Sequence, residues 1–184
     1  MDKEKEIAFI DENTHQIHEL IRQKIQFWVH HVLFSRLWWL ALALSVIPWV
    51  IWVMYRKKES TDRLLYSGMF VMVISLVLDV MGDQFGLWHY RFNLIPVLPT
   101  YFPWDLTLMP IFVMFLIQVR PTLHPIVKGL LFALVTSYIG EPIFEWLEIY
   151  TRNHWQRYYS LPIQFLIYVI THWLSKRKDF DPIS

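Results

Sequence analysis

The chain has 184 residues, of which 55% are hydrophobic and 17% aromatic, and its formal net charge is +1. A charge this small excludes the broad positive surface that nucleic-acid binding needs, so no nucleic-acid partner is expected. The chain has no cysteine, which excludes disulfides, thiolate catalysis and cysteine-ligated metals. Its ten tryptophans are typical of the aromatic belts at membrane–water interfaces.

Residues 1–35 form the first predicted unit, an amphipathic N-terminal helix. Ile10, Ile17, Ile21 and Trp28 recur near the helical period, and charged residues occupy the other faces. Such a helix either lies in the membrane interface or packs against the rest of the chain or a partner. The sequence does not decide between these two placements.

Residues 36–184 form the second predicted unit, a transmembrane domain. A helix that crosses the hydrocarbon layer needs about 20 mostly apolar residues, and five segments approach this requirement. They predict an all-α integral membrane bundle of five transmembrane helices, at 36–54, 64–85, 102–119, 125–147 and 160–174.

The basic residues predict how the bundle is oriented. Cytoplasmic loops carry an excess of lysine and arginine, and most of the basic loop residues follow the first, third and fifth segments. The chain is therefore expected to be a multi-pass cell-membrane protein with its N-terminus outside and its C-terminus inside. The inner set is Arg56, Lys57, Lys58, Arg63, Arg120, Lys128, Lys176, Arg177 and Lys178, and the outer set is Arg91, Arg152 and Arg157.

Acidic residues interrupt three of the apolar segments. Asp79 and Asp83 share one helix face, as do Glu141 and Glu145, because each pair is four residues apart. Asp105 lies near the start of the third segment. Carboxylates in hydrocarbon are costly, so they usually face the bundle interior and mark function. With the predicted orientation, all five reach the outer half of the bilayer.

These acids and their polar and aromatic neighbours are the candidate site. Asp79, Asp105 and Glu141 are the candidate catalytic residues. A structural alternative stays open, in which Asp83 and Glu145 are solvated at the interface and Asp105 stabilises a helix N-terminus. The candidate substrate-binding residues are Asp83, Trp88, His89, Tyr90, Arg91, Trp104, Glu145, Gln164 and Tyr168.

Two kinds of chemistry fit such a site. Two carboxyl groups held apart in a dry aromatic cavity can act as acid and base without a cofactor, with tryptophan or tyrosine faces stabilising a carbocation. Alternatively, the oxygens of Asp79, Asp83, Asp105 and Glu141 could bind a divalent cation, with arginines holding a lipid phosphate. The expected partner is a membrane lipid or another hydrophobic small molecule.

The chain resembles a family of small five-span membrane proteins typical of spore-forming Gram-positive bacteria. The motifs that carry this resemblance are Gly86-Leu87-Trp88-His89-Tyr90, Pro103-Trp104-Asp105, Gly140-Glu141-Pro142, Trp155 and Pro162. The resemblance covers most of the chain after residue 35. It implies a fold and brings no activity.

A shorter stretch is similar to the membrane lycopene cyclase domain and the related fungal membrane terpene cyclases. Asp79, Gly86, Trp88 and Tyr90 match the first part of their motif. In the second part, Asp105 replaces the first of two glutamates and Leu106 replaces the second. This resemblance implies that Asp105, with Asp79 or Glu141, is the acid and its partner in a cofactor-free cyclisation.

Three functions follow as hypotheses, and whether the protein is an enzyme stays open. The first is a cofactor-independent cyclase or isomerase acting on an isoprenoid or other lipid, which predicts an aromatic cavity that opens laterally. The second is a non-catalytic binding or assembly protein, which predicts no cavity and acids locked in ion pairs with Arg91, Arg152 and Arg157. The third is a small-solute or ion permease, which predicts a polar path to the inner side.

Overall fold

The computed structural model describes residues 2–177 and is mostly helical. Lys178, which contributed to the predicted orientation, and the end of the predicted second unit lie outside the described residues. In chain order the α-helices are α1 (Lys3–His31), α2 (Arg36–Tyr55), α3 (Thr61–Gln84), α4 (Met109–Gln118), α5 (Pro125–Val135), α6 (Glu141–Trp146) and α7 (Arg157–Ser175).

Three helices are long and apolar enough to span a membrane. They are α2, the helix Lys58–Gln84 that contains α3, and the continuous helix Pro125–Trp146 formed by α5 and α6. The helix Trp104–Gln118 is shorter than a crossing requires. Helix α7 has 19 residues, but Arg157 and several polar residues lower its hydropathy. The predicted membrane character is therefore supported by three helices, and the third and fifth predicted spans stay predictions.

Two helices contain a wide π turn. One covers Trp104–Leu108 immediately before α4, and the other covers Thr136–Gly140 between α5 and α6. A π turn accommodates one more residue than an α turn and is often found at functional sites. Asp105 lies within the first turn, and Glu141 directly follows the second.

The predicted all-α fold omitted a small antiparallel sheet. Strand β1 (Trp88–Tyr90) follows α3, and strand β2 (Tyr150–Arg152) follows α6. Their register pairs Trp88 with Arg152 and Tyr90 with Tyr150. The sheet joins two segments that are about sixty residues apart in the chain, and it closes the end of the bundle where the acids gather.

The core lies between α3, α4, α5 and α7. Val71, Val113, Phe132 and Tyr168 are fully buried at its centre. By contrast, no residue of α1 is buried, and α1 joins the body near its C-terminal end, where the Trp28 Nε1 donates to the Asn93 carbonyl at 2.7 Å. The predicted N-terminal helix thus exists as a long helix whose apolar residues are mostly exposed, with Ile25 and Trp28 half-buried.

Candidate functional site: an acidic, aromatic-walled cavity

Helix α3 ends beneath the sheet because of two glycines. Gly82 lies against the Trp88 indole, and a Cβ at this position would overlap that ring. Gly86 adopts a φ of +67°, a left-handed conformation that glycine adopts without strain. The chain therefore reverses directly after α3 and brings Trp88 and Tyr90 back over Asp79.

Asp79 is the centre of a hydrogen-bond network. Its Oδ1 accepts from the Trp88 Nε1 and from the Tyr90 hydroxyl, both at 2.9 Å, and its Oδ2 accepts from the Tyr101 backbone N–H at 3.2 Å. Trp88 and Tyr90 face the same way because alternate residues of a strand share a face. Three donors therefore fix the orientation of this carboxyl group, which is 6% exposed.

Asp105 lies beside Asp79 and is 1% exposed. Its Oδ1 accepts from the Ser75 hydroxyl and its Oδ2 accepts from the Thr100 hydroxyl at 2.5 Å. Ser75 lies one helical turn before Asp79 on α3, so the carboxyl groups of Asp79 and Asp105 line the same part of the cavity.

Glu141 approaches the same space from the other side. Ser160 lines the cavity together with Glu141 and accepts from the Trp155 Nε1 at 2.9 Å. The second oxygen of Glu141, Oε2, is buried without a hydrogen-bond partner among the described residues. This acid therefore keeps a free acceptor, whereas both oxygens of Asp79 and Asp105 are occupied.

A cavity of about 240 Å³ separates these groups. Asp79, Asp105 and Glu141 all line it, so the structure brings the three candidate catalytic residues together. The other polar lining residues are Ser75, Ser160 and Gln164, and the aromatic ones are Phe85, Trp88, Tyr90, Trp104, Phe144, Tyr150 and Trp155. Met81 and Phe85 also line it and are 49% and 73% exposed, so the cavity opens beside the end of α3.

The remaining sequence-predicted residues lie outside this lining. Asp83 accepts from its neighbour Gln84, and His89 points away because it lies between Trp88 and Tyr90 on the strand. Arg91 donates to the Glu148 carbonyl at 3.0 Å. Tyr168 is fully buried in the core, and its hydroxyl has no partner among the described residues.

Glu145 belongs to an ion-pair cluster behind the cavity. Its carboxylate binds Arg152, and it binds the Nη2 of Arg157 at 2.6 Å. The hydrogen bond with Glu145 raises the pKa of the Arg152 guanidinium. Glu145, Arg152 and Arg157 thus connect α6, β2 and α7 and leave no arginine in the lining.

The two tyrosines of the sheet stay protonated. Burial, followed by the charge of Asp79, raises the pKa of the Tyr90 hydroxyl well above its usual range. Burial, followed by the charge of Glu141, raises the pKa of the Tyr150 hydroxyl. Tyr90 therefore acts as a lasting hydrogen-bond donor to Asp79.

Sequence reasoning left several lining or supporting residues out of the candidate list. Ser75 and Ser160 have a signal, because each lies four residues before a candidate residue on the same helix face. Trp155 and Tyr150 show no such spacing, since β2 and the loop after it bring them to the cavity. Thr100, which holds Asp105, lies in an irregular segment without any periodic signal.

The described residues contain no cluster of candidate metal ligands. Among residues 2–177, no group of three histidine, aspartate or glutamate side chains is arranged to hold a metal ion.

Comparisons of the chain with protein-family models, curated protein sequences and solved structures found no match. The geometry of the cavity is therefore the observation that bears on function.

Proposed function

We propose that the protein is a five-span cell-membrane protein whose outer-leaflet cavity binds an isoprenoid or other lipid and isomerises or cyclises it by acid–base chemistry. The supporting observation is that Asp79, Asp105 and Glu141, from three separate helical segments, line one aromatic-walled cavity. In this proposal the N-terminus is outside and the C-terminus inside. The exposed rim residues Met81 and Phe85 then face the lipid.

The proposed chemistry divides the acids into two roles. The Asp79–Asp105 pair holds one proton and gives it to an alkene carbon of the lipid. The positive charge that forms lies among the faces of Trp88, Trp104 and Trp155, where cation–π attraction stabilises it. The free Oε2 of Glu141 then takes a proton from another carbon, so that the product keeps the atoms of the substrate. Exchange with water then removes the proton from Glu141 and restores the proton of the pair before the next turnover. No cofactor is needed for this sequence.

Deuterium incorporation tests this proposal without a known substrate. Purified protein in vesicles of total bacterial lipid is incubated in D₂O, and the lipids are analysed by mass spectrometry. We expect one lipid class to gain carbon-bound deuterium with the wild type and to lose that gain with Asp79→Asn or Glu141→Gln. Glu148→Gln is the matched control, because Glu148 is exposed at the same end of the bundle and is absent from the lining.

Lipid mass spectrometry of the detergent-purified protein completes the test. The wild type should carry a specific lipid that is altered or absent in Asp79→Asn/Glu141→Gln. If no lipid gains deuterium and all variants carry the same bulk phospholipid, the catalytic proposal is wrong.

A non-catalytic binding or assembly protein is the second candidate, and a specific observation favours it. Asp79 and Asp105 have all four oxygens occupied by internal donors, and Glu145 is paired with two arginines. Acids that serve structure are held in this way. A stable protein that carries a specific lipid without deuterium incorporation would support this candidate.

The permease hypothesis finds less support. Tyr168 and His172 continue the face of Gln164 along α7. However, Tyr168 packs against Phe132 and His172, with ring centroids 6.0 Å apart in each pair. This packing fills the face along which a polar path would run.

A further inference from the structure

The charged residues that line the cavity are all acidic. Three carboxyl residues line the cavity, and the described lining contains no lysine, arginine or histidine. The nearest arginines, Arg152 and Arg157, are bound to Glu145. Neither Asp79 nor Asp105 has an ion-pair partner among the described residues. A phosphate or carboxylate head group would therefore meet repulsion here, and a cation would meet attraction.

The polar atoms of the lining that have no partner also favour a ligand that donates hydrogen bonds. The Glu141 Oε2 and the Gln164 Oε1 are buried without a partner among the described residues. Both atoms are hydrogen-bond acceptors. A ligand with several donors satisfies them, whereas a ligand that only accepts leaves them unpaired at a cost.

The walls fit a cation as well. Trp88 and Trp155 meet edge to face with ring centroids 5.1 Å apart. Their indole N–H groups are fixed by Asp79 and Ser160, so the rings hold their positions. Tryptophan is the strongest cation–π partner among the aromatic residues, and its contribution grows when water is excluded.

The size and the opening of the cavity define where the head group and the hydrocarbon chain of a ligand lie. A volume of about 240 Å³ holds roughly eight water molecules at about 30 Å³ each, which suffices for a small head group and the first carbons of a chain. The exposed Met81 and Phe85 lie at the opening. A longer chain therefore leaves the cavity between apolar side chains.

From these observations we infer that the cavity binds amphiphiles with a protonated amine head and a single hydrocarbon chain. The ammonium lies among the three carboxyl residues and the indole faces and donates to Glu141 and Gln164. The chain passes Met81 and Phe85. This inference rests on the proposed function in using the same cavity and the same opening to lipid.

Chain-matched ligands test the inference. Dodecylamine, dodecanol and dodecyl phosphate are titrated into the full-length protein in an uncharged detergent at pH 7, with intrinsic tryptophan fluorescence as the readout. An aliphatic amine, like a lysine side chain, is protonated at this pH. We expect dodecylamine to bind at least about tenfold more tightly than dodecanol, and dodecyl phosphate to show no saturable binding.

Variants locate the binding. Glu141→Gln should weaken the binding of dodecylamine by about tenfold and change the binding of dodecanol little. The substitution removes the charge of the side chain and keeps its shape. Gln164→Met is the second variant, and it should weaken both donor ligands by a smaller factor. Glu148→Gln should change neither affinity. Thermal unfolding of each variant shows that the titrated protein is folded.

Two results would overturn the inference. One is dodecanol or dodecyl phosphate binding as tightly as dodecylamine, and the other is an amine preference that survives both Glu141→Gln and Gln164→Met. The deuterium assay separates this failure from failure of the proposed function. Deuterium incorporation without amine selectivity leaves the acid–base proposal standing, and amine selectivity without incorporation leaves only the binding site.

Discussion

At the scale of single residues, the two stacked tyrosines at the site have different roles. The rings of Tyr90 and Tyr101 are 5.3 Å apart and nearly parallel. The Tyr90 hydroxyl donates to Asp79, whereas the Tyr101 hydroxyl is buried without a partner among the described residues. The same substitution at the two positions therefore removes a hydrogen bond in one case and an unpaired polar group in the other.

Tyr90→Phe should destabilise the protein by about 1–3 kcal/mol, because a buried carboxyl group loses one of its donors. Tyr101→Phe should leave the free energy of unfolding unchanged or raise it slightly, because it removes an unsatisfied hydroxyl. Chemical denaturation in detergent measures both values. Equal losses for the two variants would contradict this account of the Asp79 network.

At the level of single residues, the sequence pointed clearly to the acids and only weakly to the residues that hold the acids in place. An acid in an apolar run is unusual, and this signal marked five acids, of which Asp79, Asp105 and Glu141 line the cavity and Asp83 and Glu145 do not. The direction of His89 could not be predicted, because it depends on a strand pairing rather than on local composition. Thr100 carried no signal, since its role depends on where the loop before Asp105 passes.

At the scale of elements, the contact between α3 and β1 depends on Gly82. Alanine is usually better than glycine inside a helix by about 1 kcal/mol. At Gly82 the added Cβ overlaps the Trp88 indole, which is held by Asp79. At Gly68 the added Cβ meets the Sδ of Met114 at 2.8 Å, and a methionine side chain can move away.

Gly82→Ala should therefore lower the free energy of unfolding by about 1–3 kcal/mol and shift the tryptophan emission. Gly68→Ala, the matched control in the same helix, should change stability by less than about 1 kcal/mol. Thermal unfolding and fluorescence spectra measure both effects. If Gly82→Ala is as stable as Gly68→Ala, the indole is not held tightly against α3.

The helices themselves followed from hydropathy, but the sheet did not. Long apolar runs predict α2, α3 and the helix Pro125–Trp146 because each needs only local sequence. Strands β1 and β2 have three residues each and pair across about sixty residues. Runs this short carry too little periodicity to identify a strand.

At the scale of the whole molecule, α1 is energetically separate from the bundle. None of its residues is buried. Trp28 makes the hydrogen bond that links α1 to Asn93 in the described part of the chain. Ile7, Ile10, Ile17 and Leu20 remain exposed on it. An isolated helix is only marginally stable, so this segment gains its order from what its apolar face meets.

Removal of residues 2–24 should therefore shift the unfolding midpoint of the remaining chain by less than about 2 °C, because little buried area is lost. In vesicle flotation, a peptide of residues 2–31 should bind membranes if α1 lies in the interface. A large loss of stability on truncation would instead show that α1 packs on the bundle. The two measurements together decide between the two placements that the sequence left open.

The two π turns let the chain hold one extra residue beside the site without changing the direction of the helix that follows. Each residue of an α-helix turns the chain by about 100°, and each wide turn contains one residue more than a regular turn. Loss of one residue from Thr136–Gly140 would let the helix continue regularly, with its length and hydropathy nearly intact. Everything after the turn would then keep its direction, because the wide turn completes one rotation with one residue more, and Glu141 would stay at the cavity. A one-residue deletion within the regular turns of Pro125–Val135 would instead rotate Glu141 by about 100° relative to the residues before it. Among natural variants of this chain, single-residue deletions that keep the site are therefore expected inside the wide turn and not before it.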